Sequence, residues 1–228
     1  MKYIQLILSF GFCFILYSSC SPSVEKKEVT PIFADYYFRY LASDKQFRAE
    51  ATFFEKQETK KQHLIMSAVS MNGLEMKPRN LQKHGTRYRL DKLNQEAPKS
   101  LNFEWVNSKE HKSSFKTNLS SLSNIKLDSP ISKSKGFLVK WEGKPLSQNE
   151  EIVFLFTDQQ NNGFTEIIKG PTKEAAIEFP VSKTGQFKVG SGLLTLVRKN
   201  RQITKTNELT VDITTEFYAN SVPIEIKE

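Results

Sequence analysis

The sequence predicts an all-β protein with two β-sandwich domains, the second of them immunoglobulin-like in architecture. Three observations lead to this prediction. Apolar and polar residues alternate with a period of two in many short runs, turn-forming residues separate the runs, and no stretch shows sustained helical periodicity. Short strands that recur about every 8–12 residues are typical of β-sandwiches.

The first predicted domain covers residues 32–124. Its clearest strands are residues 47–53 and 101–105, in which every second residue is apolar. Asn72-Gly73 lies between the runs 63–71, which is predicted as an apolar strand, and 74–77. It predicts a tight hairpin, because this pair suits turns in which both residues take positive φ. Residues 35–41 fit either a short helix or a first strand, and we favour the strand.

The second predicted domain covers residues 125–228. It contains seven strand-like runs, at residues 137–142, 152–157, 164–168, 175–181, 193–197, 209–217 and 222–226. Seven strands in about 100 residues is the number that an immunoglobulin-like sandwich requires. The run at 152–156 is apolar without interruption, which predicts a central strand covered on both faces. Asn162-Gly163 predicts a second hairpin.

The boundary between the two domains is predicted within the serine-rich stretch 119–124. Residues 20–124 contain two glycines and residues 125–228 contain seven. Charge changes at the same place: residues 39–116 carry 16 Lys+Arg against 9 Asp+Glu, whereas residues 117–228 carry 14 against 13. The basic first half could face lipopolysaccharide, anionic lipid or an acidic polymer, or it could be a solvated lysine-rich surface.

The N-terminal residues predict export from the cytoplasm. Lys2 precedes an apolar run at 4–17 that is shorter than the roughly 20 residues needed to span a bilayer, as in a secretory signal peptide. Leu16-Tyr17-Ser18-Ser19-Cys20 resembles a bacterial lipobox, in which small residues precede the cysteine that becomes the lipid-modified N-terminus. Tyr17 departs from this pattern, which usually has an aliphatic residue at that position.

The lipobox resemblance implies a signal peptide at residues 1–19, a lipid on Cys20 and a flexible tether at 20–31. In general pattern the chain is similar to two-domain envelope lipoproteins of Bacteroidota-like bacteria. This likeness implies anchoring at the outer membrane, facing the periplasm or the cell surface, since Ser21 is not the aspartate that retains some lipoproteins at the inner membrane. Ordinary cleavage with release of a soluble periplasmic protein is the alternative. With Cys13 removed and Cys20 lipidated, the mature chain would have neither a free thiol nor a disulfide.

No catalytic, metal or cofactor site is predicted. His63, His84 and His111 form neither an HxH nor an HExxH spacing. Three short motifs follow the order found in serine β-lactamases, namely Ser132-x-x-Lys135, Ser147-x-Asn149 and Lys183-Thr184-Gly185. That chemistry needs the serine at the start of a helix, whereas Ser132 lies in a predicted loop. A hydrolase whose site assembles only in the folded chain remains an alternative.

Tyr36, Tyr37 and Tyr40 are predicted as possible ligand-binding aromatics. Together with Phe38 they cannot all face the core of a single strand, so the cluster should leave an exposed patch. The predicted function is a non-catalytic binding or scaffolding role at the cell envelope. The membrane would be reached through the N-terminal lipid, and the partner would be an envelope protein or a glycan. A glycan-binding accessory protein of a polysaccharide-processing system is the other alternative, and neither a cofactor nor nucleic acid is expected.

Overall fold

The computed structural model describes residues 31–57, 60–128, 130–160, 162–185 and 187–228. Regular structure in these ranges consists of eighteen β-strands and two 3-10 turns, so the all-β prediction is confirmed. No helix in this part of the chain is long and apolar enough to cross a membrane. The predicted signal peptide, the lipobox with Cys20 and nearly all of the tether lie outside the described residues.

The strands are numbered in chain order. Those of the first half are β1 (Ile32–Leu41), β2 (Gln46–Gln57), β3 (Lys60–His63), β4 (Ala68–Met71), β5 (Leu74–Glu75), β6 (Lys77–Asn80), β7 (Thr86–Lys92), β8 (Ser100–Val106) and β9 (Lys112–Asn118). Those of the second half are β10 (Ser123–Leu127), β11 (Ile131–Ser132), β12 (Phe137–Glu142), β13 (Glu150–Asp158), β14 (Gly163–Lys169), β15 (Ala176–Phe179), β16 (Gly190–Lys205), β17 (Leu209–Tyr218) and β18 (Val222–Lys227). The 3-10 turns span Gln82–His84 and Val181–Lys183.

Alternation decides which face of each strand is buried. In β1 the residues Ala34, Tyr36, Phe38 and Tyr40 are buried, and the residues between them are half-buried or exposed. Strands β2, β8, β12 and β17 bury alternate residues in the same way, as the sequence predicts. The preference for a strand over a helix at residues 35–41 is therefore confirmed.

The strands form three sheets that pack as two sandwich cores. The largest sheet has eleven strands, with the order β11-β18-β16-β17-β1-β2-β7-β6, and with β13 and β14 continuing from β16 and β3 attached to β2. Sheet β5-β4-β8-β9 covers its first part, where the Tyr36 ring stacks on Phe103 at 4.2 Å between centroids. Sheet β10-β12-β15 covers its other part, where Phe154 meets Phe179 edge-on at 4.9 Å.

The long strand β16 makes the large sheet continuous from one core to the other. Its residues 190–194 pair with β18 and its residues 197–205 pair with β17, while β13 pairs with its other edge. Strand β17 then pairs in parallel with all ten residues of β1. Each of the seven runs predicted after residue 125 contains a strand, and the run at 209–217 pairs with β1, which belongs to the first predicted domain. Alternation shows that a strand has one buried face and does not show which strand lies beside it.

The connection from β9 to β10 is packed into the structure. Here the chain leaves one small sheet and enters the other, at the stretch predicted as the domain boundary, and both Leu119 and Leu122 are buried. At this point the chain passes from sheet β5-β4-β8-β9 to sheet β10-β12-β15, whereas the large sheet contains strands from both sides of it. Residues 119–122 form a buried connection, because burial of the two leucines stabilises the position of this segment.

Both predicted hairpins are present, with one difference in the turn. Asn72 and Gly73 have φ of 50° and 76° and join β4 to β5, as the Asn-Gly pair predicts. In the β13–β14 hairpin Gly163 already pairs with Thr157, so the turn lies upstream of the predicted pair. Asp158 shapes that turn by accepting a hydrogen bond from the backbone N–H of Asn162 at 2.8 Å.

Strand β13 is central, but it is covered fully on one face only. It lies between β14 and β16, as a central strand should. Ile152, Phe154 and Phe156 are buried, whereas Val153 and Leu155 on the other face are half-buried. The predicted cover on both faces is thus wrong for the second face, because sheet β10-β12-β15 packs on one side alone.

Candidate functional site

The three tyrosines predicted as a binding patch do not lie on one surface. Tyr36 and Tyr40 are each 3% exposed, because the even-numbered residues of β1 face the core. Tyr40 stacks on Phe217 and donates a hydrogen bond from its hydroxyl to the Gln95 carbonyl oxygen at 3.0 Å. The prediction of an exposed cluster is therefore wrong for both residues. Neither side chain is placed to bind a ligand at the surface.

Tyr37 lies on the opposite face of β1 and is half-buried. Its hydroxyl donates a hydrogen bond to Glu216 Oε2 at 2.7 Å, and Tyr218 donates to the same oxygen at 3.1 Å. Burial, and then this bond to the carboxylate, raise the pKa of Tyr37 far above its usual value. Tyr37 therefore holds two neighbouring strands together, since β1 and β17 are hydrogen-bonded along their whole length.

The motifs that resemble a β-lactamase site are only partly brought together. Thr184 is fully buried and donates a hydrogen bond from Oγ1 to the Lys133 carbonyl oxygen at 3.1 Å, which places the third motif beside the first. The Ser132 hydroxyl, however, bonds to the hydroxyl of Ser134 at 2.9 Å. The second motif lies in another loop, where the Ser147 N–H donates to Glu150. The site thus lacks the helix that would present a serine nucleophile.

A groove lies at one end of the first sandwich core, and we call it the end groove. Its volume is about 880 Å³. It lies where β1 begins, between the β8–β9 hairpin and the β16–β17 turn. Its lining residues are Ile32, Glu55, Leu64, Ile65, Met66, Trp105, Asn107, Ser108, Lys109, His111, Lys112, Ser113, Ser114, Thr206, Glu208 and Leu209.

Two polar residues shape the walls of the end groove. Tyr88 is buried, and its hydroxyl accepts from the Met66 N–H at 2.7 Å and donates to the Met66 carbonyl oxygen at 2.9 Å. These two hydrogen bonds fix the backbone of Met66, and residues 64–66 do not belong to a regular strand. On the other wall, Asn107 Oδ1 accepts from the backbone N–H groups of Lys109 and His111, at 2.9 and 3.0 Å, and fixes the hairpin tip.

The end groove was not predicted from the sequence. The run at residues 63–71 is predicted as a single strand. In the structure β3 ends at His63 and β4 begins at Ala68, and Ile65 between them is 72% exposed. Met66 in this break is hydrogen-bonded to Tyr88, which lies 22 positions away, and such a contact leaves no trace in local alternation.

The groove combines apolar side chains with hydrogen-bonding and charged groups. Leu64 and Leu209 are half-buried beside Ile65, and Lys109, His111 and Lys112 lie along the hairpin. Serines, a histidine and two carboxylates thus share one groove. Yet no hydrogen bond joins the His111 ring to a serine or a carboxylate among the described residues, so no nucleophile–base pair at about 2.6–3.2 Å is formed. An apolar centre with a few polar groups is the usual composition of a binding site.

A second concavity adjoins the end groove on the outer side of sheet β5-β4-β8-β9. Its volume is about 560 Å³, and it shares Trp105, Lys112, Ser113 and Ser114 with the end groove. The two concavities are therefore continuous around the β8–β9 hairpin. No group of three histidine, cysteine or acidic side chains suited to a metal ion occurs in the described part of the chain.

Comparison with known proteins does not assign this surface. No protein-family model matches the chain, and no curated protein matches it either.

Proposed function

We propose that the chain is a lipid-anchored protein of the cell envelope that binds a partner at the end groove and has no catalytic role. The observation that carries this proposal is the position of the groove. Ile32, the first residue of β1, lies in its wall, and Cys20 precedes Ile32 by only 12 residues. A fully extended chain of this length spans at most about 40 Å, so the groove opens at the end of the fold nearest to the proposed anchor.

The lining of the groove favours an envelope protein as the partner. Ile65 is exposed next to half-buried leucines, which is the environment that accepts an apolar side chain of another protein. Lys109 and Lys112 at the rim would orient an acidic partner segment. A glycan platform would instead use exposed aromatic rings, and Tyr36 and Tyr40 are buried.

Lipid labelling tests the anchor. We expect the wild-type protein to incorporate labelled fatty acid and to sediment with membranes, and we expect the Cys20→Ser variant to lose both properties. The same fold should form in both proteins, because the described strands begin at Ile32. A wild-type chain that is unlabelled and soluble would remove the anchor from the proposal.

Site-specific photo-crosslinking in intact cells tests the groove. A crosslinker at Ser108, in the groove wall, should give a discrete adduct, whereas one at Leu93 should not. Leu93 is a suitable control because it is 62% exposed and follows β7 at the opposite end of the core. Ile65→Asp should abolish the Ser108 adduct without lowering the melting temperature. An adduct that persists in Ile65→Asp would show that the groove is not the contact.

A further inference from the structure

Four basic residues of the first half of the chain lie together on two strands at one edge of the large sheet. Lys77 and Arg79 on β6 lie directly opposite Arg89 and Arg87 on β7. Directly opposite residues of an antiparallel pair share a face, with Cβ atoms about 4.5–5.5 Å apart. These four side chains therefore form a compact two-by-two group, which we call the cation array.

Nearby carboxylates neutralise only the inner part of the cation array. Arg87 pairs with Glu50 at 3.1 Å, and Arg89 pairs with Asp91 at 2.5 Å. Asp91 is shared, because Arg48 also contacts it at 2.8 Å. Burial alone would raise the pKa of Asp91, but the hydrogen bonds from both arginines lower it, so this carboxylate stays ionised.

The outer part of the cation array is uncompensated. Lys77 and Arg79 are exposed, and neither forms an ion pair with a residue that the structure describes. Like charges that lie directly opposite each other destabilise a sheet. The array therefore reduces stability in the isolated protein, and an anionic ligand would offset that cost.

Protection of the sheet edge explains only half of the cation array. Strand β6 is the last strand of its sheet, and lysine and proline on an edge strand discourage pairing with other chains. This accounts for Lys77, Pro78 and Arg79. It does not account for Arg87 and Arg89, which lie on β7 between β6 and β2, inside the edge.

We propose that the cation array binds a linear acidic polysaccharide that lies along the β6–β7 edge. A flat anionic membrane fits less well, because the charge changes sign along the row of residues that starts at Arg79 and Arg87. That row continues in register through Thr52 to Asp35, which lies two strands, or about 10 Å, from Arg87. The next carboxylate in the row, Asp212, is paired with Arg201 at 2.6 Å. A broad anionic surface would meet the Asp35 carboxylate, whereas a narrow polymer chain at the edge would not.

An added peptide strand also fits less well than a glycan. Pro78 has no backbone N–H, so this four-residue edge offers fewer donors for strand pairing. Side-chain cations remain the main recognition groups. Lysine and arginine in such an array recognise carboxylate or phosphate groups that repeat along a polymer.

This inference goes beyond the proposed role of the end groove, because the cation array lies on a different surface, and its test does not require the anchor. The full-length protein, held in a neutral detergent, is measured for binding to polygalacturonate, which carries a carboxylate on each sugar, and to neutral dextran. We expect binding to polygalacturonate alone, weakened by added salt. Binding that survives in Cys20→Ser while lipid labelling is lost would separate this inference from the proposal about anchoring.

Charge reversal gives the decisive comparison. The Lys77→Glu/Arg79→Glu variant keeps charged side chains on the edge strand, which still discourage pairing with other chains. It should weaken polygalacturonate binding by at least about tenfold, because two attractive charges become repulsive. The matched control is Lys126→Glu/Lys140→Glu, which reverses another exposed pair of cations in register on β10 and β12. The control changes the net charge equally and should bind as the wild type does.

Three outcomes would overturn the inference. The first is equal weakening in both double variants, which would indicate a response to net charge alone. The second is unchanged binding in the Lys77→Glu/Arg79→Glu variant while gel filtration shows it monomeric. The third is binding to phosphatidylglycerol vesicles with none to polygalacturonate, which would assign the array to a membrane surface.

Discussion

Replacement of Arg198 by methionine should destabilise the protein by about 3–5 kcal/mol, because it leaves Glu150 as an unpaired buried carboxylate. Both side chains are almost fully buried, at 2% and 4% exposed. Arg198 donates to the two carboxylate oxygens of Glu150 at 3.1 and 2.7 Å. It also donates to the carbonyl oxygens of Lys144 and Pro145, at 2.9 and 3.0 Å, so four hydrogen bonds would be lost together.

The pKa of Glu150 gives a second route to the same magnitude. Burial alone would raise the pKa of this carboxyl, but hydrogen bonds from Arg198, Ser120 and the Ser147 N–H lower it from 4.5 to about 2. The difference between the two pKa values corresponds to about 3 kcal/mol. Because the pKa is lower in the folded protein, this stabilisation is present above about pH 4.5 and is lost as the pH falls through about 2.

Urea unfolding at pH 7 and at pH 3 measures both effects. The free energy of unfolding should fall between these pH values in the wild type, and this part of the pH dependence should be absent in Glu150→Gln. The Arg198→Met variant should also melt roughly 10 °C lower at pH 7. Arg201→Met is the control on the same strand, since Arg201 also pairs with a carboxylate, at 2.6 Å from Asp212, but is 65% exposed. A loss in Arg201→Met equal to that in Arg198→Met would refute the argument from burial.

Two further predictions concern buried tyrosines and a turn. The Tyr36 hydroxyl is buried without a hydrogen-bond partner among the described residues, so Tyr36→Phe should leave the free energy of unfolding unchanged or raise it by about 1 kcal/mol. Tyr88→Phe should lower the free energy of unfolding by about 1–3 kcal/mol, because it leaves the Met66 N–H and carbonyl unpaired. A loss of stability in Tyr36→Phe would contradict this account. Gly73 has φ of 76°, and the space where an alanine Cβ would lie is open. Gly73→Ala should therefore lower the free energy of unfolding by about 1–2 kcal/mol through backbone strain alone. Unchanged urea unfolding of this variant would show that the turn adapts.

Local alternation predicted most of the strands, because successive residues of a strand point to opposite faces and the buried face is therefore apolar at every second position. The runs that contain Phe103 and Val211 place every second side chain in the core, as expected from a period of two. The prediction for the tyrosines of β1 did not apply this period of two. Tyr36, Phe38 and Tyr40 have the spacing of a single buried face, and only Tyr37 falls on the other side. Treating the four aromatic residues as one cluster ignored this spacing.

Strand neighbours and the end groove could not be obtained from the sequence, because both depend on contacts between distant residues. Strand β17 lies beside β1, although Leu209 at its start is 168 positions from Leu41 at the end of β1. In the break at residues 64–67, Met66 is hydrogen-bonded to the distant Tyr88. The serine-rich stretch 119–124 marks the change from one small sheet to the other, while the large sheet continues. Local composition therefore locates turns and connections well, and it leaves the partners of each strand open.

The position of Arg198 and Glu150 explains how one continuous sheet can serve two cores. Strand β16 changes its partner from β18 to β17 between residues 194 and 197, next to Arg198. The ion pair joins β16 to β13, and its hydrogen bonds reach the connection between the small sheets through Ser120 and the loop after β12 through Lys144. A buried charge pair is costly unless every group is satisfied, so this network specifies one arrangement of the two cores where apolar contacts alone would allow several. On this reasoning, Arg198→Met should alter the end groove little, because the groove lies at the far end of β1, and the Ser108 crosslink should persist in that variant below its melting temperature.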